Sequence, residues 1–191
     1  MQTDFDQDLT ATLPQARISR ERYDRMVAAG IFGEDDRIEL LNGVLVTMSP
    51  QDHRHAEAIQ ELNEILVRLF SGEAKVRVQL PFATDEFGEP EPDLALIPLP
   101  VVRGEHPSRA LLVVEVADSS LRKDRLVKGA IYARAQVPEY WIVDVAHRVV
   151  EVYREPLGDH YAQSFVARPG ESVAIQALPG AMVAVAAIFG E

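Results

Sequence analysis

The run Leu111-Leu112-Val113-Val114-Glu115-Val116 constrains this chain more than any other stretch. Such a run, followed by the turn residues Ala117-Asp118-Ser119-Ser120 and then a helical pattern, predicts a central strand covered on both faces of its sheet. Glu115 is the anomaly in it. A carboxylate placed there loses hydration and needs a partner. Strand, polar turn and helix also make a βα step, and in open α/β sheets sites tend to lie at the ends of such strands.

With 191 residues, 47% of them hydrophobic, the chain can build a real core. The expected organisation is a flexible arm over residues 1–16 and a single domain over 17–191. No apolar run reaches the roughly 20 residues of a membrane helix, and Met1 to Asp8 lacks a basic or apolar signal region. The expectation is therefore a soluble, cytoplasmic protein with no membrane partner. Absence of cysteine excludes disulfides, thiolate zinc sites and a cysteine nucleophile. A net charge of −11 argues against a globally basic, phosphate-binding surface. Charge is uneven, however: Asp85, Glu86, Glu89, Glu91 and Asp93 crowd one window, and Arg122, Lys123, Arg125, Lys128 and Arg134 another. The plain reading of either run is a solvated face.

In order along the chain, a first helix is predicted from Ser19 as N-cap to Gly30, with Tyr23, Met26 and Val27 at core spacing. Asn42-Gly43 between two alternating runs predicts a type I′ hairpin over Arg37 to Met48, with Ile38 and Leu40 on one face and Arg37, Glu39 and Leu41 on the other. A helix from about Asp52 to Phe70 places Ile59, Leu62, Ile65, Leu66 and Leu69 on one side. Lys75 to Phe82 alternates as a half-exposed strand, with Val76, Val78, Leu80 and Phe82 inward. Pro92 to Ile97 is a short apolar strand that begins at Asp93. Beyond the central strand, a helix over about Arg122 to Ala135 sets Asp124, Lys128 and Tyr132 on one face. Strands follow over Tyr140 to Val145 and Val149 to Arg154, and near Tyr161 to Ala167 and Ser172 to Ala177, with a short helix after Pro179-Gly180.

Asp93 and Glu115 each sit in a short apolar strand. If the strands are neighbours, their backbones lie about 4.8 Å apart, and carboxylates on one face could share an ion. Without a cation the pair repels and one member is driven to protonate. A hard divalent cation such as Mg²⁺ takes oxygen ligands and typically uses one or two protein carboxylates.

Arg37-Ile-Glu-Leu-Leu-Asn-Gly43, Glu91-Pro-Asp93, Val113-Val-Glu-Val116, Asp124-x-x-x-Lys128-x-x-x-Tyr132 and Pro138-Glu-Tyr-Trp-Ile-Val-Asp144 occur in this order. Together they resemble the bacterial putative restriction endonuclease family of the PD-(D/E)XK nuclease superfamily, from about Ile18 to Phe189. The resemblance implies an α/β, restriction-endonuclease-like fold, a central mixed sheet flanked by helices. It implies that Asp93 and Glu115 bind a metal, Mg²⁺ or Mn²⁺, with Glu39 as a third acid. The superfamily's lysine ordinarily stands two positions after the glutamate, where this chain has Ala117. In this branch the match is Lys128 on the following helix, whose amine could place water and offset charge developing on phosphate. The activity implied is metal-dependent endonuclease cleavage of DNA; the alternative is a nuclease fold that binds nucleic acid or protein without cutting. A homodimer is plausible because a duplex has two strands to cut.

Plainer readings stand beside these. Glu39 could be a solvent-facing residue paired with Arg37, and Lys128 an exposed lysine bonded to Asp124. Asp93 after a proline could be a strand-start residue. His53 and His55, one residue apart at a helix start, point in different directions and suit capping or surface roles, although His55 could line the groove. Gln79 is a candidate neighbour of the site. Tyr132 and Trp141 suit the core, and Asp144 a turn.

Overall fold

The computed structural model describes residues 16–33, 36–48 and 50–191, so the expected arm lies outside the described residues except for Ala16. Helix α1 (Arg20–Ala28) starts at the predicted N-cap, where Ser19 accepts a hydrogen bond from Arg22 N. Strands β1 (Ile38–Leu41) and β2 (Val44–Thr47) form the predicted hairpin. Asn42 and Gly43 both take positive φ, 52° and 81°, as a type I′ turn requires. Glycine is needed at 43 for a second reason: a Cβ there would lie 2.7 Å from Arg17 Cβ. Helix α2 (His53–Leu69) is capped by Asp52, which accepts from His55 N at 2.9 Å.

The centre of the molecule is a six-stranded mixed sheet in the order β3-β4-β5-β6-β7-β8. Its strands are β3 (Ala74–Val78), β4 (Leu94–Pro98), β5 (Leu112–Ala117), β6 (Glu139–Asp144), β7 (Val149–Leu157) and β8 (His160–Ala167). All neighbours pair antiparallel except β5 and β6, which run parallel. A parallel pair needs a crossover, and residues 121–134 supply it as helix α3 (Leu121–Lys123), a π-helical turn (Asp124–Lys128) and helix α4 (Gly129–Arg134).

Every residue of β5 is buried, as its near-continuous apolar run predicts. On one face of the sheet, Ile59, Leu62 and Leu66 of α2 pack with Leu96, Leu112, Val114, Val116 and Trp141. On the other, Tyr132 of α4 packs with Ala95, Val113, Ala117, Tyr140 and Ile142. Period 2 therefore puts Asp93, Glu115 and Ala117 on the α4 side. The parallel step β5–α–β6 opens a site at the C-terminal end of β5.

Four expectations are corrected. Val27 is 51% exposed, because only Tyr23 of α1 turns fully inward. Leu80 is 44% exposed: β3 stops at Val78, since Gln79 adopts φ 49° and Pro81 cannot continue a ladder. The strand β7 runs three residues past Arg154, to Leu157. The C-terminal segment is a second small hairpin, β9 (Ser172–Ala174) with β10 (Met182–Ala184), ahead of helix α5 (Val185–Ile188). Three-residue strands give too short an alternation to stand out in a sequence.

Leu62→Ala, at a fully buried α2 position, should cost about 2–5 kcal/mol, whereas Val27→Ala should stay within about 0.5 kcal/mol. Urea midpoints at unchanged m-value measure both.

Candidate active site

The register of β4 and β5 aligns Leu94 with Val114, so one step further Asp93 stands opposite Glu115. Asp93 precedes the first β4 residue and both its oxygens are engaged. Its Oδ2 accepts from Val116 N at 2.8 Å. Its Oδ1 accepts from Gln79 Nε2 at 3.1 Å and lies 3.2 Å from His55 Nε2. Gln79 reaches it because the left-handed backbone that ends β3 turns the amide toward the β4 start. Burial works to raise the Asp93 carboxyl, but the His55 contact and the Val116 and Gln79 hydrogen bonds hold it below the ordinary carboxylate range.

Glu115 takes its contacts on one oxygen. Oε1 accepts from Tyr132 hydroxyl at 2.6 Å and from Lys128 Nζ at 3.0 Å. Among the described residues Oε2 takes no hydrogen bond, and the carboxylate lines the pocket described below. Burial pushes the Glu115 carboxyl up to about 8; Lys128 opposes this, while Asp124, Asp93 and Glu39 add to it. Lys128 behaves oppositely: burial alone would lower it, but Glu115, Glu39 and Asp124 hold the ammonium protonated.

Glu39 arrives from the hairpin. It faces inward with no exposed surface and pairs with Lys128 and Lys123, each amine 3.0 Å away. Those two lysines outweigh burial and keep it ionised. Its pairing with Arg37 is thereby replaced. The hairpin is laid on the helical segment, and Arg134 Nη2 donates to Asn42 Oδ1 at its tip at 2.6 Å.

The plainer alternative, Lys128 exposed and bonded to Asp124, is not what forms: Lys128 is buried and bonded to Glu39 and Glu115. Asp124 instead accepts from Ser120 Oγ at 2.5 Å. The reason is the π turn: Gly129 N bonds Asp124 O, five residues back, so residues four apart no longer stack as they do on an α-helix. The extra residue swings Lys128 toward β5.

Glu39, Asp93, Glu115 and Lys128 all line one cavity of about 90 Å³, with His55, Glu91, Asp124 and Lys123 around it. Seven carboxylates line it, against two lysines, one arginine and one histidine. Four of these acids, Glu39, Asp93, Glu115 and Asp124, are buried; clustered carboxylate oxygens are the donor chemistry of a hard divalent cation, and among them Oε2 of Glu115 is left open. Glu39, Asp93 and Glu115 are not all within 4.8 Å of one another; among the described residues the group that meets that distance is Asp24, Glu89 and His106, elsewhere.

His55 belongs to the pocket, whereas His53 is exposed. Tyr132 is core, as its residue type suggested, and its hydroxyl in addition reaches Glu115, a contact that only the tertiary structure shows. Trp141 is core and donates to buried Glu139 at 3.0 Å. Asp144 accepts from His147 N at 3.0 Å in the β6–β7 turn. Lys123, in the sequence one member of a basic run, gains its role at the site only from the tertiary position of the hairpin, which brings Glu39 to it.

Two outcomes are expected. In the metal-free protein, the native state holds a proton on Glu115 that the unfolded chain releases from an ordinary value of 4.5, so folding binds a proton between about 4.5 and 8. Stability should fall as pH rises through that window, and Glu115→Gln should make the slope shallower in a denaturation series. Lys128→Ala, which strands two buried carboxylates, should cost about 3–5 kcal/mol by the same method.

The fold has a counterpart among solved structures. No curated protein matches the chain. A solved structure, described as a putative nuclease belonging to DUF820 from Anabaena variabilis ATCC 29413, superposes with a TM-score of 0.68 at 13% identity, over 91% of this chain and 98% of that one. A looser superposition, TM-score 0.42 at 14% identity, covers 78% of this chain but 17% of the type IIG restriction endonuclease BpuSI. The first of these shows a shared fold. By sequence, residues 20–186 match the family Uma2, described as "Putative restriction endonuclease". With most of its length matched and a restriction-endonuclease-like nuclease fold, the chain belongs to the Uma2 family.

Proposed function

We propose that this protein is a metal-dependent endonuclease that hydrolyses phosphodiester bonds in DNA, with Mg²⁺ or Mn²⁺ as its cation. The observation that carries the reading is the meeting of Glu39, Asp93, Glu115 and Lys128, from four separate segments, in one acidic cavity at the end of β5. In this reading Asp93 and Glu115 hold the cation and Glu39 is the third acid. The cation supplies Lewis acidity toward the scissile phosphate and an activated water. Val116 N, Gln79 and His55 fix the Asp93 carboxylate, and Tyr132 fixes that of Glu115. Lys128 keeps a fixed positive charge beside the strand end, where it orients the attacking water and offsets charge gathering on the phosphate oxygens.

Lys128 also answers the substitution at Ala117. That alanine lies two residues beyond Glu115 on the same face, fully buried among Tyr132, Tyr140 and Ile142. The amine reaches the carboxylate from the helix instead. A cytoplasmic location, where DNA is met, and a homodimer that cuts both strands accompany this reading. The net charge of −11 favours the second reading, a fold of this type that binds without cutting.

Purified protein should nick supercoiled plasmid in Mg²⁺ or Mn²⁺ and not in excess chelator. Asp93→Asn and Glu115→Gln should each lower the rate at least about 10²-fold while remaining folded. Intact plasmid under both metals, with no metal uptake by calorimetry, would favour the binding module.

A further inference from the structure

A second cluster of ligand atoms lies apart from the acidic cavity, and we infer that Asp24, Glu89 and His106 form a structural site for a divalent cation of the zinc class. One atom from each lies within 4.8 Å of the others. The three come from distant parts of the chain: Asp24 from α1, Glu89 from the segment before β4, and His106 from the loop between β4 and β5.

Glu89 is the independent sign of a ligand. Its side chain is only 3% exposed, and Oε2 is buried with no hydrogen-bond partner among the described residues. The other oxygen, Oε1, lies 3.8 Å from His106 Nε2, too far for a hydrogen bond. A buried carboxylate with an orphaned oxygen is costly, and proteins retain one where something completes it. Burial first, then the charge on Asp24, raise the Glu89 carboxyl to about 7, with Arg20 opposing.

The donor set points to the kind of ion. One imidazole nitrogen and two carboxylate oxygens suit zinc rather than magnesium or calcium, which prefer oxygen throughout. Zinc–ligand distances of about 2.0–2.2 Å place two ligands of a tetrahedral ion about 3.4 Å apart. The observed 3.8 Å between Nε2 and Oε1 is close to that spacing. Asp24 and His106 are exposed and can close onto an ion arriving from solvent, with water in the fourth position.

The site would act as a clamp. Glu89 N donates to Leu40 O at 2.8 Å, and Leu40 N to Glu89 O at 3.3 Å, so Glu89 is bridged to the residue beside Glu39. An ion here ties α1 and the β4–β5 loop to β1, the strand that carries Glu39 into the acidic cavity.

The test uses full-length Asp93→Asn/Glu115→Gln protein, in which two acids of the acidic cavity are neutral, stripped of metal and titrated with ZnCl₂ by calorimetry. One equivalent should bind, and the thermal midpoint should rise with zinc. His106→Ala and Glu89→Gln, each added to that background and verified as folded by circular dichroism, should weaken binding at least tenfold and abolish the thermal response. Cobalt(II) should give the intense visible absorption of a four-coordinate ion, lost with the same substitutions. Absence of zinc binding, or binding that His106→Ala and Glu89→Gln leave unchanged, would overturn the assignment.

Discussion

The ammonium group of Lys128 lies 3.0 Å from Glu39 and 3.0 Å from Glu115, and by being shared it fastens a hairpin, a crossover helix and the central strand at one point. All three groups are buried, so each depends mainly on protein partners for its charge. Taking such charges out of solvent costs several kcal/mol each, and their mutual attraction repays that only in good geometry. The network is therefore a poor source of net stability. What it supplies is position: β1 is held over residues 121–134 in the one arrangement that pairs Glu39 with both Lys123 and Lys128.

Position is also what the π turn contributes. A regular α-helix would stack Lys128 against Asp124 on its own surface. One extra residue in the turn breaks that local pair and delivers the amine to the sheet, while Asp124 is left to Ser120. Such turns cost hydrogen-bond quality and are concentrated at functional sites. Ala117 belongs to the same design. It is packed among aromatic rings on the face it shares with Glu115, so the cation reaches that carboxylate from the helix rather than from the strand.

Anchoring of Asp93 follows a different rule. Its carboxylate is gripped by a backbone N–H, an amide and an imidazole, all from elements that precede or border the β4 start. These contacts keep it ionised, while burial and neighbouring acids push Glu115 toward protonation. Two carboxylates on one face thus differ in ionisation because their surroundings differ, and the acid-rich cavity between them keeps an unbalanced negative charge.

The sequence by itself determined the elements whose causes are local. Asn42-Gly43 forced a type I′ turn, Ser19 and Asp52 capped helices, and the unbroken apolar run with Glu115 announced a strand buried on both faces. The ordered motifs also carried the candidate residues Glu39, Asp93, Glu115 and Lys128. Tertiary structure decided what depends on distant partners. It set Glu39 inward on Lys123 and Lys128 rather than outward on Arg37, separated Asp124 from Lys128, bent Gln79 onto Asp93 and left Leu80 exposed. It also brought Asp24, Glu89 and His106 together from 83 residues of chain. Periodicity reports which face a side chain takes, but the element that covers that face is fixed only when hydrogen bonding and burial are satisfied across the whole fold.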